Sequence, residues 1–379
     1  MARRPLTIVL TNDAKTIAGG ENYVLYVAKG MRARGHRVIV APLVGHLLEE
    51  VARREGYETV PVRYASQGRE FAAARALVHA LRETRPDIIH TNSNIDRTVG
   101  ALAARSLRVG CVASIHSCLS IRHNLTHWFR NRWLIDEFLP VGHSTKRIMV
   151  GTDGIDPAKI TVVHIGIPRD EIVTSPDARC AVRAELGVPA DGVLIGNLAR
   201  LVDFKGHTHL LDAMPDVLRA HPRTVCAIAG DGELREPLER QARALGIAGS
   251  LRFLGHRTDV PALLSAFDIY VQPSIDRGGE TFPVAILSAM AAARPVVASD
   301  VGDIRYMVED GGSGALLREK DAPGLAAALT ALVGDAGLRS AMAGRGRALF
   351  EERFTLDVMT DRLEDAYYRV LSKRAGEGR

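Results

Sequence analysis

Short apolar stretches alternate with segments of helical periodicity along this sequence, and the alternation restarts once near the middle. The apolar stretches, which predict strands, are residues 6–11, 38–41, 87–90, 111–116 and 160–165 in the first half, and 192–197, 224–229, 251–254, 269–272 and 295–298 in the second. Strands that are joined through helices run parallel, and helices then cover both faces of the sheet. The sequence therefore predicts an α/β protein with two doubly wound, Rossmann-like domains.

The boundary between the predicted domains falls in a stretch that contains three prolines, which we interpret as a linker: Pro168, Pro176 and Pro189. A chain of 379 residues, at roughly 150 residues per domain, is expected to form domains at 1–168 and 169–355. Residues 356–379 are predicted to form a last helix that crosses back to the first domain. Its apolar side chains share one face: Leu356, Met359, Leu363, Tyr367 and Val370.

Composition excludes several classes of protein. Hydrophobic residues make up 46% and charged residues 25% of the chain, as in globular domains rather than disordered segments. No apolar run approaches the roughly 18 to 20 residues that cross a bilayer, and the first run is too short for a signal peptide, so we expect a cytoplasmic protein. The four cysteines lack CxxC spacing, which favours buried thiols over disulfides or a zinc site: Cys111, Cys118, Cys180 and Cys226.

Charge is distributed unevenly between the halves. Residues 1–165 contain 23 Lys and Arg against 14 Asp and Glu, a net charge of +9, whereas the remainder contains 26 against 30, a net charge of −4. A basic half favours an anionic partner such as a phospholipid surface, and it fits a solvated arginine-rich face equally well. Nucleic acid is not an expected partner, because the basic residues are dispersed and no recognition motif occurs.

Three loops at predicted strand ends contain residues that suit an anionic ligand. The first is 18–21, where Gly19 and Gly20 would let a ligand approach the backbone and the amides of the following helix. The loop lacks the GxGxxG pattern, which disfavours a dinucleotide-dependent dehydrogenase. A glycine turn that serves only helix packing is the alternative.

The second loop, 196–206, follows the first predicted strand of the second domain. Arg200 has a planar guanidinium that can donate two parallel hydrogen bonds, and Lys205 is a mobile point charge. The pair suits a diphosphate. Two cations at this spacing are common on surfaces, but their position beside a strand end and a glycine favours a binding role.

The third loop, 278–284, precedes an apolar helix that is predicted at 285–292. Pro283 suits the first turn of a helix, and the free amides around Phe282 and Val284 would face an anion or a sugar hydroxyl, with Glu280 beside it. The alternative is an ordinary acidic helix start, stabilised by the helix dipole.

Seven motifs occur in order along the chain: Gly19-Gly20, His116 at a strand end, Arg200 with Lys205, Gly230-Asp231-Gly232-Glu233, Phe253-Leu254-Gly255, Glu280-Thr281-Phe282-Pro283, and residues 295–302. Nearly the whole chain resembles the retaining GT-B glycosyltransferases of family 4. This resemblance implies two Rossmann-like domains that face an interdomain cleft, the first binding an acceptor and the second a nucleotide-diphosphate sugar. It implies transfer from a UDP- or GDP-sugar to an acceptor hydroxyl, on a glycan or lipid-linked glycan in cell-envelope polysaccharide biosynthesis.

The resemblance also implies roles for individual residues. Arg200 and Lys205 would hold the diphosphate, Glu280 would contact hydroxyls of the donor sugar, and His116 would reach that sugar from the first domain. The implied donor-binding residues are Gly19, Gly20, Gly230, Gly255, His256, Arg257, Phe282, Pro283, Val284 and Ser288.

Two positions depart from the family pattern. Ser288 stands eight residues after Glu280, where the family usually has a second glutamate that contacts the ribose, so a weaker or water-mediated contact is expected. Pro283 stands where glycine is frequent, and it removes one amide donor. The donor sugar accepted can differ as a result.

No metal or other cofactor is expected. The chain has no Asp-x-Asp pair, and Arg200, Lys205 and helix amides can stabilise the charge of the leaving diphosphate. Since no convincing nucleophile occurs, we expect front-face attack in which the diphosphate accepts the proton. His123 and His127 are spaced like zinc ligands on a helix but lack a third ligand.

Residues 121–133 combine aromatic and basic side chains: Arg122, Trp128, Phe129, Arg130, Arg132 and Trp133. This composition suits an interfacial segment that contacts anionic lipid at the inner face of the membrane. Packing of both tryptophans against the first domain is the alternative. Two other functions also fit the sequence: a GT-B-like binding or scaffolding subunit with weak catalysis, and a nucleotide-sugar hydrolase or epimerase.

Overall fold

The computed structural model describes residues 3–15, 19–64, 69–121, 124–277 and 279–377. The chain divides into two compact units: Met1–Gly166 with Leu356–Arg379, called unit 1, and Ile167–Thr355, called unit 2. The boundary between Gly166 and Ile167 lies close to the expected one at residue 168.

Unit 1 is a six-stranded parallel sheet in the order β3-β2-β1-β4-β5-β6, with flanking helices. Its strands are β1 (Thr7–Asn12), β2 (Arg37–Pro42), β3 (Glu58–Thr59), β4 (Ile88–Thr91), β5 (Gly110–Ile115) and β6 (Glu137–Pro140). Its helices before the boundary are α1 (Gly19–Ala33), α2 (Leu47–Arg54), α3 (Glu70–Leu81), α4 (Ile95–Leu107), α5 (Leu125–Phe129) and α6 (His143–Gly151).

Unit 2 repeats the same topology, with six parallel strands in the order β12-β11-β10-β7-β8-β9. The strands are β7 (Leu194–Leu198), β8 (Val225–Ala229), β9 (Leu251–Gly255), β10 (Ile269–Gln272), β11 (Val296–Ser299) and β12 (Gly314–Leu317). The helices are α7 (Pro176–Glu185), α8 (His207–Ala220), α9 (Arg235–Ala244), α10 (Val260–Ala266), α11 (Val284–Ala291), α12 (Ala322–Gly334) and α13 (Ala336–Arg353), and α14 (Leu356–Glu377) returns to unit 1.

In each sheet the second and third strands lie on one side of the first strand, and the last three lie on its other side. The strand order therefore reverses between β1 and β4 in unit 1 and between β7 and β10 in unit 2. At such a point the loops that follow the two strands diverge, which opens a crevice at the carboxyl edge of the sheet. Both positions therefore direct attention to the loops after these four strands.

Helix α14 packs against unit 1 through the apolar face that the sequence predicts. Tyr367 is fully buried, and its hydroxyl lies 2.7 Å from Nδ1 of His90 in β4. Farther along the helix, Arg369 donates to Glu137 at the start of β6, at 2.7 Å. These contacts fix the end of the chain to the sheet that its first residues begin.

Two details of the predicted boundary region are wrong. Residues 160–165 do not form a strand. Thr161 and Val163 donate to the carbonyls of Phe138 and Pro140, but proline has no amide to return a bond, so pairing is limited to one bridge at Ile160. The predicted linker contains helix α7, which begins at Pro176 behind the cap Ser175.

The expectation of four buried thiols holds for only two cysteines. Cys111 and Cys226 are buried, whereas Cys118 is half-buried and Cys180 is exposed. In the described part of the chain no single helix has the length and apolar character to cross a bilayer; α12 and α13 meet those criteria only as a pair, bent by 104°.

Candidate active site

Lys205 and Glu280 meet at the carboxyl edge of the sheet in unit 2. Lys205 ends a short 3-10 turn after β7, and Glu280 lies in the loop between β10 and α11. Lys205 Nζ is 2.6 Å from Glu280 Oε2, and only 15% and 6% of the two side chains is exposed. Two of the predicted loops therefore form one site at the reversal point of the sheet.

The turn that positions Lys205 requires the glycine that follows it. Gly206 has φ +67°, and a Cβ there would lie 1.8 Å from the carbonyl oxygen of Pro273, just after β10. No other residue fits this left-handed position at such a short distance. The close approach brings the loop after β7 against the loop after β10.

The two carboxylate oxygens of Glu280 differ. Oε2 accepts hydrogen bonds from Lys205 Nζ at 2.6 Å, Ser274 Oγ at 2.7 Å and Gln272 Nε2 at 3.2 Å. Oε1 makes no hydrogen bond with any residue that the structure describes. Oε1 is therefore the oxygen that can accept from a ligand hydroxyl.

Gln272 and Ser274 fix the Glu280 carboxylate through their hydrogen bonds to Oε2. Neither residue was predicted from the sequence as part of the site. Each is fully buried. Tyr270 donates to Gln272 Oε1 at 2.6 Å, so the Gln272 amide must direct its NH₂ group to Ser274 and Glu280. Burial raises the pKa of Tyr270, which keeps its hydroxyl protonated as the donor. The available signal was a glutamine at the end of an otherwise apolar strand.

Arg200 follows β7 at the same edge. Its side chain is exposed and, within the described ranges, has no hydrogen bond or ion pair. Gly230 has φ +150°, and a Cβ there would lie 1.9 Å from the carbonyl oxygen of Ala199. Gly230 therefore allows the loop after β8 to contact the Arg200 loop. Arg200 is a cation without a partner among the described residues, at the same edge of the sheet as Lys205 and Glu280.

Helix α11 spans Val284–Ala291, one residue earlier than the predicted 285–292, and Pro283 lies just before its first turn rather than within it. Pro283 is the N-cap and Val284 the first helical residue. Phe282 is buried, with its ring 5.7 Å from that of Phe354, so its backbone is firmly placed. Ser288 is also buried and donates its hydroxyl to the Val284 carbonyl at 3.1 Å.

The loop after β9 was predicted to line the base. Gly255 has φ +66°, and His256 is exposed. Arg257 donates to Glu185 at 2.6 Å and to Asp259 at 2.7 Å, and both carboxylates raise its pKa. Arg257 thus ties the loop to Glu185 and Asp259, whereas the His256 side chain is exposed.

His116 lies in unit 1, directly after β5. Its two ring nitrogens are buried and have no hydrogen-bond partner among the described residues. The ring packs edge-on against Tyr23, with centroids 4.6 Å apart. Burial, and then the charge of Arg97, lowers the pKa of His116 to about 4, so the imidazole is neutral near pH 7.

The predicted site residues therefore lie in both units. Gly19 and Gly20 begin α1 in unit 1, and the adjoining Ala18 lies outside the described residues, as does Gly278 before Glu280. Within unit 2 the structure brings Lys205 and Glu280 into contact.

The aromatic and basic segment forms α5 and a following π-helical turn, Arg130–Leu134. Its large apolar side chains are 40% exposed or more, contrary to packing of the tryptophans: Leu125, Trp128, Phe129 and Trp133. The expectation that Arg130 faces lipid is wrong, because Arg130 is buried and donates to Thr98 and Asn131. Burial lowers its pKa to about 9.

The suggested histidine pair cannot be described as a pair, since His123 lies outside the described residues, as does Arg122. In the ranges that are described, no group of three His, Cys, Asp or Glu side chains is placed to hold a metal ion.

Comparison with known proteins identifies two family models that match the chain in succession. Residues 17–171 match Glycosyltransferase Family 4, and residues 179–349 match Glycosyl transferases group 1. The chain is 31% identical over 192 residues to the lipopolysaccharide core biosynthesis glycosyltransferase LpsE of Rhizobium meliloti, covering 51% of this chain and 53% of LpsE. It thus spans about half the length of this relative. It is 29% identical over 340 residues to the phosphatidyl-myo-inositol mannosyltransferase of Mycolicibacterium smegmatis, covering 86% of this chain and 84% of that enzyme.

Solved structures share the whole fold. A glycosyltransferase from Rickettsia africae superposes with a TM-score of 0.89 at 20% identity, covering 97% of this chain and 99% of that one. Anabaena HepE in complex with UDP-glucose gives 0.83 at 22% identity, covering 96% and 100%. The predicted fold class, GT-B with two Rossmann-like domains, is confirmed.

Proposed function

Since the chain belongs to glycosyltransferase family 4, we propose that it moves a sugar from a nucleotide-diphosphate sugar, UDP- or GDP-linked, to an acceptor hydroxyl. The observation that carries this proposal is the set of charges at the β7/β10 edge of unit 2. Arg200 has no ion pair among the described residues and follows β7, and Lys205 and Glu280 form a buried pair at the same edge of the sheet.

The chemical difficulty is departure of the diphosphate, which gains negative charge as the glycosidic bond breaks. Arg200 would bind the phosphates in the ground state. Lys205, whose Nζ lies 2.6 Å from Glu280 Oε2, would interact with the departing phosphate as its charge grows. Interactions that strengthen in the transition state raise turnover rather than only affinity.

Glu280 would bind the transferring sugar. Its Oε2 is already occupied by three donors, so Oε1 would accept from a sugar hydroxyl. Its negative charge also lies where positive charge develops on the sugar, and in a buried site this attraction is stronger than in water. The backbone around Phe282 and Val284 would face the sugar and the distal phosphate, at the start of α11.

We propose that unit 1 contributes His116 to the donor sugar and binds the acceptor. Because the imidazole is neutral near pH 7, it would act as a hydrogen-bond partner for a hydroxyl and not as a cation. Glycan and lipid-linked acceptors of the cell envelope are supported by relatives whose names refer to lipopolysaccharide core and to phosphatidyl-myo-inositol.

Peripheral contact with an anionic membrane is part of the proposal. The exposed side chains of Trp128, Phe129 and Trp133 support it, together with Arg132, whose guanidinium lies 5.4 Å from the Trp133 ring. Trp128 and Trp133 also line a cavity of about 480 Å³ beside Lys373. Aromatic rings with adjacent cations are the combination that favours the interface of anionic bilayers.

Product analysis tests the proposed reaction. The protein is incubated with UDP-, GDP- and ADP-sugars and a candidate glycan acceptor, with and without EDTA, and the new bond is examined by NMR. We expect a new glycosidic bond that keeps the donor's anomeric configuration, and equal yield in EDTA. Release of free sugar without transfer would indicate a hydrolase, an inverted bond would overturn retention, and loss of yield in EDTA that added metal restores would overturn the metal-free reaction.

A further inference from the structure

Several buried polar atoms without hydrogen-bond partners gather in unit 1 at the carboxyl edge of its sheet. They are Asp13 Oδ1, Asn92 Oδ1, Arg97 Nε and both ring nitrogens of His116, none of which has a partner within the described ranges. These residues follow β1, β4 and β5, which are neighbours in the sheet. A buried polar atom left unpaired is unfavourable, so a cluster of them calls for a ligand.

Arg97 is the strongest of these observations. It lies in the first turn of α4, it is 4% exposed, and it makes no hydrogen bond or ion pair with described residues. Burial lowers the pKa of its guanidinium, and the charge of Arg97 in turn lowers the pKa of His116, which places the two groups near each other. A buried guanidinium without an anion is unfavourable.

The adjacent Asp96 does not serve as the missing anion. Its Oδ1 accepts from the amide of Ser93 at 2.8 Å, and its Oδ2 accepts from Thr11 Oγ1 at 2.6 Å and from the amide of Asn92 at 2.8 Å. The carboxylate is thus occupied in closing the turn before α4. This leaves Arg97 without a paired carboxylate in the described chain.

Asn92 and Asp13 supply unpaired acceptors at the same edge of the sheet as Arg97. The Asn92 NH₂ group donates to the carbonyls of Thr11 and His90, each at 3.1 Å, which fixes the amide and leaves Oδ1 as an unused acceptor. The Asp13 amide donates to Ser93 Oγ at 3.1 Å, so its carboxylate lies beside the same turn. Acceptors of this kind pair with ligand hydroxyls.

We propose that Asp13, Asn92 and Arg97 form a binding site for a hydroxylated molecule that carries a phosphate or carboxylate group. Arg97 holds the anionic group, and Asn92 and Asp13 hold hydroxyls. This inference rests on the proposed function, in which unit 1 binds the acceptor, and it assigns that acceptor a negative charge. The net charge of +9 in residues 1–165 attracts such a ligand.

Three sugars of matched shape test the site: glucose, glucuronate and glucose 6-phosphate, each titrated calorimetrically into the full-length protein. We expect at least one of the two anionic sugars to bind at least tenfold more tightly than glucose. Arg97→Met should abolish that preference, Arg97→Lys should keep part of it, and Arg105→Met should keep all of it, because Arg105 is an exposed residue of the same helix. No anion preference in the wild-type protein, or an equal preference in Arg97→Met, would overturn the proposal.

Thermal unfolding separates binding from a structural role for Arg97. Removing an unpaired buried charge should leave the unliganded melting temperature of Arg97→Met equal to or above that of the wild type. A lower melting temperature would show that the guanidinium has a stabilising partner, against the proposal. Monomeric dihexanoyl phosphatidic acid identifies the source of the anion: Arg97-dependent competition with glucose 6-phosphate indicates a lipid headgroup, and its absence indicates a water-soluble phosphate.

Titration of UDP and GDP distinguishes failure of this inference from failure of the proposed function. Nucleotide binding with no Arg97-dependent anion preference would contradict only the site in unit 1. An Arg97-dependent preference without any nucleotide binding would support this site and count against glycosyl transfer.

Discussion

Lys205 Nζ lies 2.6 Å from Glu280 Oε2, although the two residues are 75 positions apart in the sequence. The resemblance assigns one to the diphosphate and the other to the sugar, yet in the structure each is the counter-ion of the other. A donor that brings its own negative charge would compete with Glu280 for Lys205. Donor binding should therefore weaken the ion pair between Lys205 and Glu280, and substitutions of either residue test this.

The first prediction separates Glu280 from Ser288. Glu280→Gln keeps the shape of the side chain but removes the charge near the developing positive charge, so turnover should fall by about 10²- to 10³-fold. Ser288→Ala removes only a buried hydroxyl that donates to its own helix, a group worth about 0.5–1.5 kcal/mol, so KM for the donor should change by about tenfold at most. Steady-state kinetics with the donor identified by product analysis provides both values. Equal damage from the two substitutions would show that the donor does not lie against α11.

The second prediction concerns stability without any ligand. Lys205→Met leaves the buried Glu280 carboxylate with two neutral donors, Ser274 and Gln272, and should cost about 1–3 kcal/mol of unfolding free energy. The double substitution Lys205→Met with Glu280→Gln should recover most of that loss, because the buried carboxylate that lacks a cation is replaced by a neutral amide. Thermal unfolding of the two single variants and the double variant tests this. An additive loss in the double variant would mean that the two side chains do not interact.

The third prediction follows from three buried histidines. Burial lowers the pKa of His90 to about 3 and the pKa values of His116 and His207 to about 4, from 6.5. Between pH 6.5 and pH 4 these histidines are protonated in the unfolded chain but still neutral in the folded one. The free energy of unfolding is therefore highest above pH 6.5 and decreases as the pH falls toward 4. Each contributes about 1.4 kcal/mol per pH unit. Asp96, whose pKa burial raises to about 6, acts in the opposite direction.

Unfolding between pH 7 and 4.5 measures this slope. His207→Gln should reduce the slope, since the variant has one fewer histidine to protonate, and Gln can still donate to Asn197 as His207 does in the fold. The matched control His79→Gln, at an exposed position, should leave the slope unchanged. A slope unaffected by His207→Gln would contradict the burial argument.

The alternation of strands and helices predicts most of both sheets because a central parallel strand is buried along its whole length and is therefore mostly apolar, as in β8. Three edge strands were missed: β3, β6 and β12. β3 consists of two polar residues, and β6 and β12 begin with a glutamate and a glycine, which leaves only a short apolar run in each. Residues 160–165 failed for a different reason: the limit on pairing lies in Pro140, far from the segment itself. Local pattern does not report the chemistry of the neighbouring strand.

The motifs predict which loops matter in the site but not how their side chains pair. Arg200 and Arg257 look alike in sequence, yet Arg257 is bound to two carboxylates and Arg200 has no ion pair with any residue that the structure describes. Gln272 and Ser274 belong to no recognised motif, and their role depends on hydrogen bonds to the carboxylate of Glu280, farther along the chain. Partners of this kind are set by tertiary contacts, which a single sequence does not contain.

The fourth prediction concerns the exposed aromatic residues of unit 1. Substitution of Trp133 and Phe129 by serine should reduce flotation with anionic vesicles at low salt, and Arg132→Gln should reduce it further, because apolar insertion and charge attraction both contribute. Arg105→Gln is the matched control for charge. Equal flotation with neutral and anionic vesicles, or no effect of the aromatic substitutions, would remove the membrane contact.

The central claim is that the β7/β10 edge of unit 2 binds the donor diphosphate, and calorimetric titration of UDP and GDP tests it most directly. The wild-type protein should bind at least one of the two nucleotides. Arg200→Ala should weaken that binding by at least tenfold, at an unchanged melting temperature because the side chain is exposed and has no partner among the described residues. Arg243→Ala, an exposed arginine in the last turn of α9, should leave the affinity unchanged. Equal affinity in wild type and Arg200→Ala, or no binding of either nucleotide, would contradict the claim.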